Sequence, residues 1–225
     1  MIPKKNAIES FSIKDCAVIA IATGRRALNL RELREHLISV DPDSIYHHFW
    51  GGLLRPRFDD PDYNNDFASW AYRGLHEVKL AERLGVIDPS DFPDMEDLRQ
   101  ELIDIIEERL EESDIVPWAA HDRQFNFITT HMVVFDTNKR LHDPRELVKA
   151  VPFMSLGSIF YHFIDARRRT EDNIDDFRAW LSGYNGAYQG LVEEIASAEP
   201  FFPTLTELRD QLSEIFERYF REASS

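Results

Sequence analysis

The chain has 225 residues, 43% hydrophobic and 12% aromatic, enough to bury one sizeable core or two small ones that share an interface. A formal net charge of −15 opposes any function that must neutralise phosphates, so neither nucleic acid nor an anionic membrane is an expected partner. The single cysteine, Cys16, rules out an internal disulfide and every zinc site that needs two thiolates.

The first patterned segment is CAVIAIA, residues 16–22. Acidic Glu9 and Asp15 precede it and no long apolar run follows, so it reads as part of the fold of a cytoplasmic protein rather than as a signal peptide. Its identity as a strand comes from further along the chain. FSIKDCAVIAIATGRRALNLREL, from Phe11, aligns without gaps on FNFITTHMVVFDTNKRLHDPREL, from Phe125, at an offset of 114. The second version is rich in β-branched and aromatic residues, which favour a strand, and the alignment carries that reading to the Ala-rich first version.

After LREL, where a short helix starts, Asp41-Pro42 offers an N-cap with Pro in the first turn, and Ser155 stands at the aligned place. The helix that follows carries SIYHHF (44–49) and its counterpart SIFYHF (158–163). Ile45, His48, Phe49 and Gly52, like Ile159, His162, Phe163 and Ala166, recur at i, i+3, i+4 and i+7, which puts each histidine on an apolar stripe. A third helix is expected near DFASW (66–70) and DFRAW (176–180), capped by Asn65 or Asp66 and by Asp175 or Asp176. A last helix spans about 95–110 and 205–220, burying Leu98, Leu102, Ile105 and Ile106 and their partners Leu208, Leu212, Ile215 and Phe216.

The expected organisation is therefore a tandem duplication: a first copy over 1–110, an acidic linker over 111–124 with a Pro-Trp, and a second copy over 125–225. The fold class is α+β and predominantly helical, each copy having one strand and about four helices. One strand alone makes no stable sheet, so the two strands pair, antiparallel across a pseudo-two-fold axis, and the copies form one globule.

Ser-Ile-x-x-His-Phe, an Arg seven residues after the His, Asp-Phe-x-x-Trp and a closing Leu-Arg helix, all present twice, resemble a prokaryotic family of unknown function. The resemblance covers nearly the whole chain and implies an architecture without a mechanism. The first copy departs from the pattern where Gly51, Gly52 and Pro56 stand against IDARRR in the second, which predicts a shorter or bent helix there.

The candidate site is the repeated set His48, Arg55 and Asp66 with His162, Arg169 and Asp176. One reading is a pocket for an anionic or polyol ligand, in which Arg fixes a carboxylate or phosphate and His exchanges a proton. The other is structural: Asp caps its helix, Arg pairs with it, and His completes a buried hydrogen-bond network. The second weighs more, since buried polar groups must be satisfied whether or not a ligand exists. Phe67 and Trp70, with Phe177 and Trp180, read as core anchors in preference to a sugar platform.

No metal site is expected: adjacent His47 and His48 point apart on a helix, and neither HExxH nor a Glu-x-x-His pair occurs. No nucleophile elbow or phosphate loop occurs either, and no cofactor is expected. The leading expectation is a non-catalytic binding or regulatory protein with an anion- or carbohydrate-like ligand cleft between the repeats and a small molecule or protein as partner. The alternatives are an enzyme with a His acid/base and a protein-interaction scaffold.

Overall fold

The computed structural model describes residues 9–54, 62–112, 114–201 and 203–223. Two strands of equal length, β1 (Phe11–Ala27) and β2 (Phe125–Leu141), pair with each other in a two-stranded antiparallel sheet. The Thr23 hydroxyl donates to the Phe127 carbonyl and the Thr137 hydroxyl to the Ile13 carbonyl, two bonds at equivalent places of one register. Both strands bury their opening aromatic and close on a buried residue, Phe11 to Ala27 and Phe125 to Leu141, while their middles are exposed.

Five α-helices follow each strand among the described residues. After β1 come α1 (Leu30–Leu37), α2 (Pro42–Trp50), α3 (Asp66–Arg73), α4 (Val78–Gly85) and α5 (Met95–Glu111). After β2 come α6 (Leu147–Ala150), α7 (Leu156–Ile159), α8 (Asp176–Ser182), α9 (Gln189–Ala196) and α10 (Leu205–Glu222). The caps explain most of the starts: Asn29, Asp41, Asn65 and Asp94 in the first set, and Ser155, Asp175 and Thr204 in the second, each accept a first-turn N–H. Thr204 forms a full capping box with Glu207.

Two features depart from expectation. Helices α4 and α9 add a fifth element to each set. They are eight residues long, and Glu77 and Tyr188, which precede them, make no side-chain cap bond, so neither length nor capping announces them. The second departure lies in the helix carrying SIFYHF. It opens as α7, widens into a π-helical turn over Phe160–Ile164, and tightens into a 3₁₀ turn over Asp165–Arg168. Its counterpart α2 is a regular helix that stops at Trp50 against Gly51.

The chain divides into two compact units. One holds residues 18–132, with α1 to α5, the latter part of β1 and the beginning of β2; the other holds residues 133–225 and 1–17, with α6 to α10, the beginning of β1 and the latter part of β2. In the first unit, Leu33, Phe49, Phe67, Leu102 and Phe127 are buried together with Phe125. In the second, Ile159, Phe163, Phe177, Leu212 and Phe216 are buried together with Phe11.

Each unit thus draws main chain from both sides of residues 111–124. Introducing a protease site between residues 113 and 116 and cutting there should leave the two pieces co-eluting in native gel filtration and separating only in denaturant. Independent elution of the pieces under native conditions would contradict this division.

Candidate functional site

His162 sits in the π turn after α7 and is 2% exposed. Its Nδ1 lies 2.7 Å from Asp176 Oδ2, and its Nε2 accepts the main-chain N–H of Lys14 at 2.9 Å. An amide N–H can only donate, so Nε2 carries the lone pair, and the proton is on Nδ1, donated to the carboxylate. The ring is therefore neutral and engaged at both nitrogens. Phe11, Phe177 and Tyr161 surround it, with ring centroids 4.9, 5.9 and 5.0 Å away.

His48, 3% exposed near the end of α2, has the same arrangement in the other unit. Nδ1 is 2.8 Å from Asp66 Oδ2 and Nε2 accepts from Ile128 N–H at 3.2 Å. Phe125 and Phe67 flank it with centroids at 4.7 and 5.3 Å. Lys14 and Ile128 are aligned positions of β1 and β2, so each histidine holds the same strand position.

The tryptophans follow the same rule. Trp70 Nε1 donates to the Arg123 carbonyl and Trp180 Nε1 to the Glu9 carbonyl, each at 2.8 Å, just ahead of the strand that its unit begins. Asn65 and Asp175 do the capping of α3 and α8, which leaves the next residue, Asp66 or Asp176, free to receive the histidine proton. Asp175 is fully buried, and burial pushes its pKa up against the pull of Arg178, whose Nε it accepts. The first set has neutral Asn65 at this place and Ala68 where Arg178 stands, so the buried charge and its partner occur together or not at all.

Arg169 joins His162 through the carboxylate that they share. Its Nη2 is 3.1 Å from Asp176 Oδ2 and 2.8 Å from the Tyr161 carbonyl, its Nε is 2.9 Å from Asp165 Oδ2, and its guanidinium lies 3.9 Å above the Tyr161 ring. His162 and Arg169 do not meet by stacking two turns apart on a regular helix, because the helix changes pitch between them. Arg55 lies outside the described residues, so His48 and Asp66 are the members of the first set that can be placed.

Tyr161 and Asp165, both partners of Arg169, are absent from the set read from sequence. Position 161 aligns with His47, whose ring contacts the Thr130 hydroxyl, so the alignment of dissimilar residues hid it. Among the described residues, no group of three or more His, Cys, Asp or Glu side chains is placed to hold a metal ion. No helix among them is long and apolar enough to cross a membrane.

Cys16 is the one thiol. Its Sγ donates to the Gly157 carbonyl at 3.3 Å, and its pKa is pushed up to about 12, first by burial and then by Asp15 and Asp165, with Arg169 opposing. Position 157 requires glycine, because an added Cβ would collide with the Asp15 carboxylate and the Cys16 carbonyl. With so small a thiolate fraction at pH 8, Cys16 in the native protein should react with iodoacetamide at least tenfold more slowly than in the denatured protein. Equal rates, followed by mass spectrometry, would show the thiol to be open and ionised.

Comparison with known proteins gives two matches. A family model described as a family of unknown function, DUF5752, matches residues 8–217. The solved structure of OrfY from Thermoproteus tenax superposes with a TM-score of 0.79 at 27% sequence identity, covering 94% of this chain and 96% of that one. No curated protein matches the chain.

Proposed function

The chain belongs to DUF5752, a family of unknown function, and we propose that it is a cytoplasmic, non-catalytic binding or regulatory protein built by tandem duplication. In this reading the His48–Asp66 and His162–Asp176 pairs fasten main chain and leave recognition to surface side chains.

The observation that carries it is the state of the two histidines. A general acid or base must present a ring nitrogen to the group with which it exchanges a proton. Here Nδ1 is given to a carboxylate and Nε2 to an amide in both cases. The duplication is supported by the matched set of bonds made by His48 and His162, Trp70 and Trp180, and Thr23 and Thr137.

A small anion or polyol held by Arg169 is the second reading. It is favoured by the half-exposed guanidinium, whose side chain is 35% accessible. It ranks below the first because Asp165 and Asp176 already offset that charge.

Histidine footprinting tests the proposal. Diethyl pyrocarbonate acylates a neutral ring nitrogen with an available lone pair, and His76, His121, His131 and His142 are exposed. These four should be modified in the native protein while His48 and His162 stay protected. Modification of His48 or His162 at the rate of the exposed histidines would restore the acid/base reading.

A further inference from the structure

The unit containing α6 to α10 presents a cluster of aromatic rings where the other unit holds an ion pair. In the other unit, Glu77, just ahead of α4, and Arg109 on α5 form a two-pronged ion pair at 2.7 and 2.8 Å, nearly enclosed. The equivalent places, just ahead of α9 and on α10, hold Tyr188 and Tyr219. Two half-exposed rings stand where the other unit has an ion pair.

Neighbouring residues extend the aromatic surface. Tyr184 and Ala187 close a tight turn, Ala187 N–H to Tyr184 carbonyl at 3.1 Å, with Asn185 and Gly186 both left-handed at φ 53° and 81°. The turn sets Tyr184 and Tyr188 edge to face, with centroids 5.2 Å apart and planes at 87°. Trp180 abuts Tyr184 at 5.7 Å and 86°. At the other end, Tyr188 meets Phe220 at 6.0 Å, and Tyr219 is close enough that a Cβ on Gly190 would be in contact with its ring. Trp180, Tyr184, Tyr188 and Tyr219 all remain half-exposed.

The rim is acidic. The Tyr184 hydroxyl reaches the His142 carbonyl at 3.4 Å, beside Asp143 and Glu146 at the entry to α6. Both phenols are pushed up, first by burial; Tyr188, Asp143 and Glu146 add to this at Tyr184, and Asp143 at Tyr188. Arg145 opposes this at Tyr188, and Arg218 is neutralised by Glu194 at 2.8 Å. Aromatic faces with a carboxylate rim attract cations, through the ring quadrupole and through charge.

Resting on the reading of the chain as a binding protein, we propose that Trp180, Tyr184, Tyr188 and Tyr219, rimmed by Asp143 and Glu146, form the docking surface for a Lys/Arg-rich segment of a partner protein. Charge complementarity argues for this occupant. The overall charge of −15 steers a basic segment towards the molecule, and the rings select its side chains locally.

The probe is a fluorescein-labelled octaarginine peptide, titrated by anisotropy into the full chain. Y184A/Y188A should bind about tenfold more weakly than the parent, and Y184F/Y188F within twofold of it, because the ring face and not the hydroxyl attracts the cation. E107Q/E111Q, which removes two charges from α5 in the other unit, should stay within twofold. Unchanged affinity in Y184A/Y188A, or an equal loss in E107Q/E111Q, would overturn the proposal in favour of diffuse attraction to an acidic surface. Should the alanine variant fail to fold by circular dichroism, D143N/E146Q carries the test. It keeps both side chains as acceptors and should weaken binding about fivefold, while unchanged affinity would overturn the proposal. Histidine footprinting is unaffected by any of these outcomes, so failure of this proposal is distinguishable from failure of the reading on which it rests.

Discussion

Replacing Phe125 by Ala is expected to lower the unfolding free energy by about 3–5 kcal/mol, the usual cost of removing a buried phenylalanine ring. Phe125 is 4% exposed and touches four other rings: it stacks on Phe67 at 5.1 Å and meets His48, Phe127 and Trp70 at 4.7, 4.9 and 5.6 Å. The cavity would open beside the Nε2 of His48, which accepts the Ile128 N–H three residues further along the same strand. Packing and strand anchoring would weaken together. Phe11→Ala should cost a similar amount in the other unit, since Phe11 packs against His162, Phe177 and Trp180 at 4.9, 5.3 and 5.3 Å. Denaturant titration gives the cost directly, and a loss below about 1 kcal/mol for either variant would mean that the strand openings are not core.

His162→Leu is the second large effect, expected at about 3 kcal/mol. Leucine fills much of the space of the ring but neither accepts the Lys14 N–H nor donates to Asp176. An orphaned buried N–H costs about 1–3 kcal/mol, and the lost bond to a carboxylate adds to it. Asp176 keeps Arg169, which limits the damage on that side. His162→Asn should fall between the parent and the leucine variant, because its amide can occupy the Nδ1 position as a donor and still leaves Lys14 unanswered. His48→Leu should cost less than His162→Leu, since the side chain of Asp66 is 53% exposed and returns to water when its partner is lost, whereas that of Asp176 is 20% exposed. Equal stability of parent and His162→Leu would show that the ring contributes by volume alone.

Much of this arrangement is legible in the residues. The offset of 114 matches β1 to β2 and carries the strand reading into an Ala-rich segment that alone looks helical. Asp41 and Ser155 announce α2 and α7 because a short polar side chain before an apolar stripe satisfies first-turn N–H groups. The ambiguity between Asn65 and Asp66, and between Asp175 and Asp176, is one that local rules leave open. Either residue can cap, and only the buried histidine next to the second decides the matter.

Other features lie beyond local pattern. The repeat says that Lys14 corresponds to Ile128 but not which histidine each will meet, because a strand's partners are set by long-range packing. That His48 holds the strand of the second half and His162 that of the first follows from where the strands run, and no spacing encodes it. The π turn at Phe160–Ile164 is equally silent, since a residue added to a helical turn leaves the apolar stripe readable on either side. The aromatic surface around Tyr188 goes unseen for another reason: it lies where the two halves of the sequence differ, and a repeat shows only what its halves share.

His48 and His162 are neutral rings whose Nε2 atoms accept main-chain hydrogen bonds, a state that ¹H–¹⁵N long-range correlation spectra of the histidine rings read out atom by atom. Both rings should carry the proton on Nδ1, with Nε2 shifted as an acceptor and a through-bond coupling to the amides of Lys14 and Ile128. A ring protonated at Nε2, or one exchanging freely between tautomers as an exposed histidine does, would contradict it.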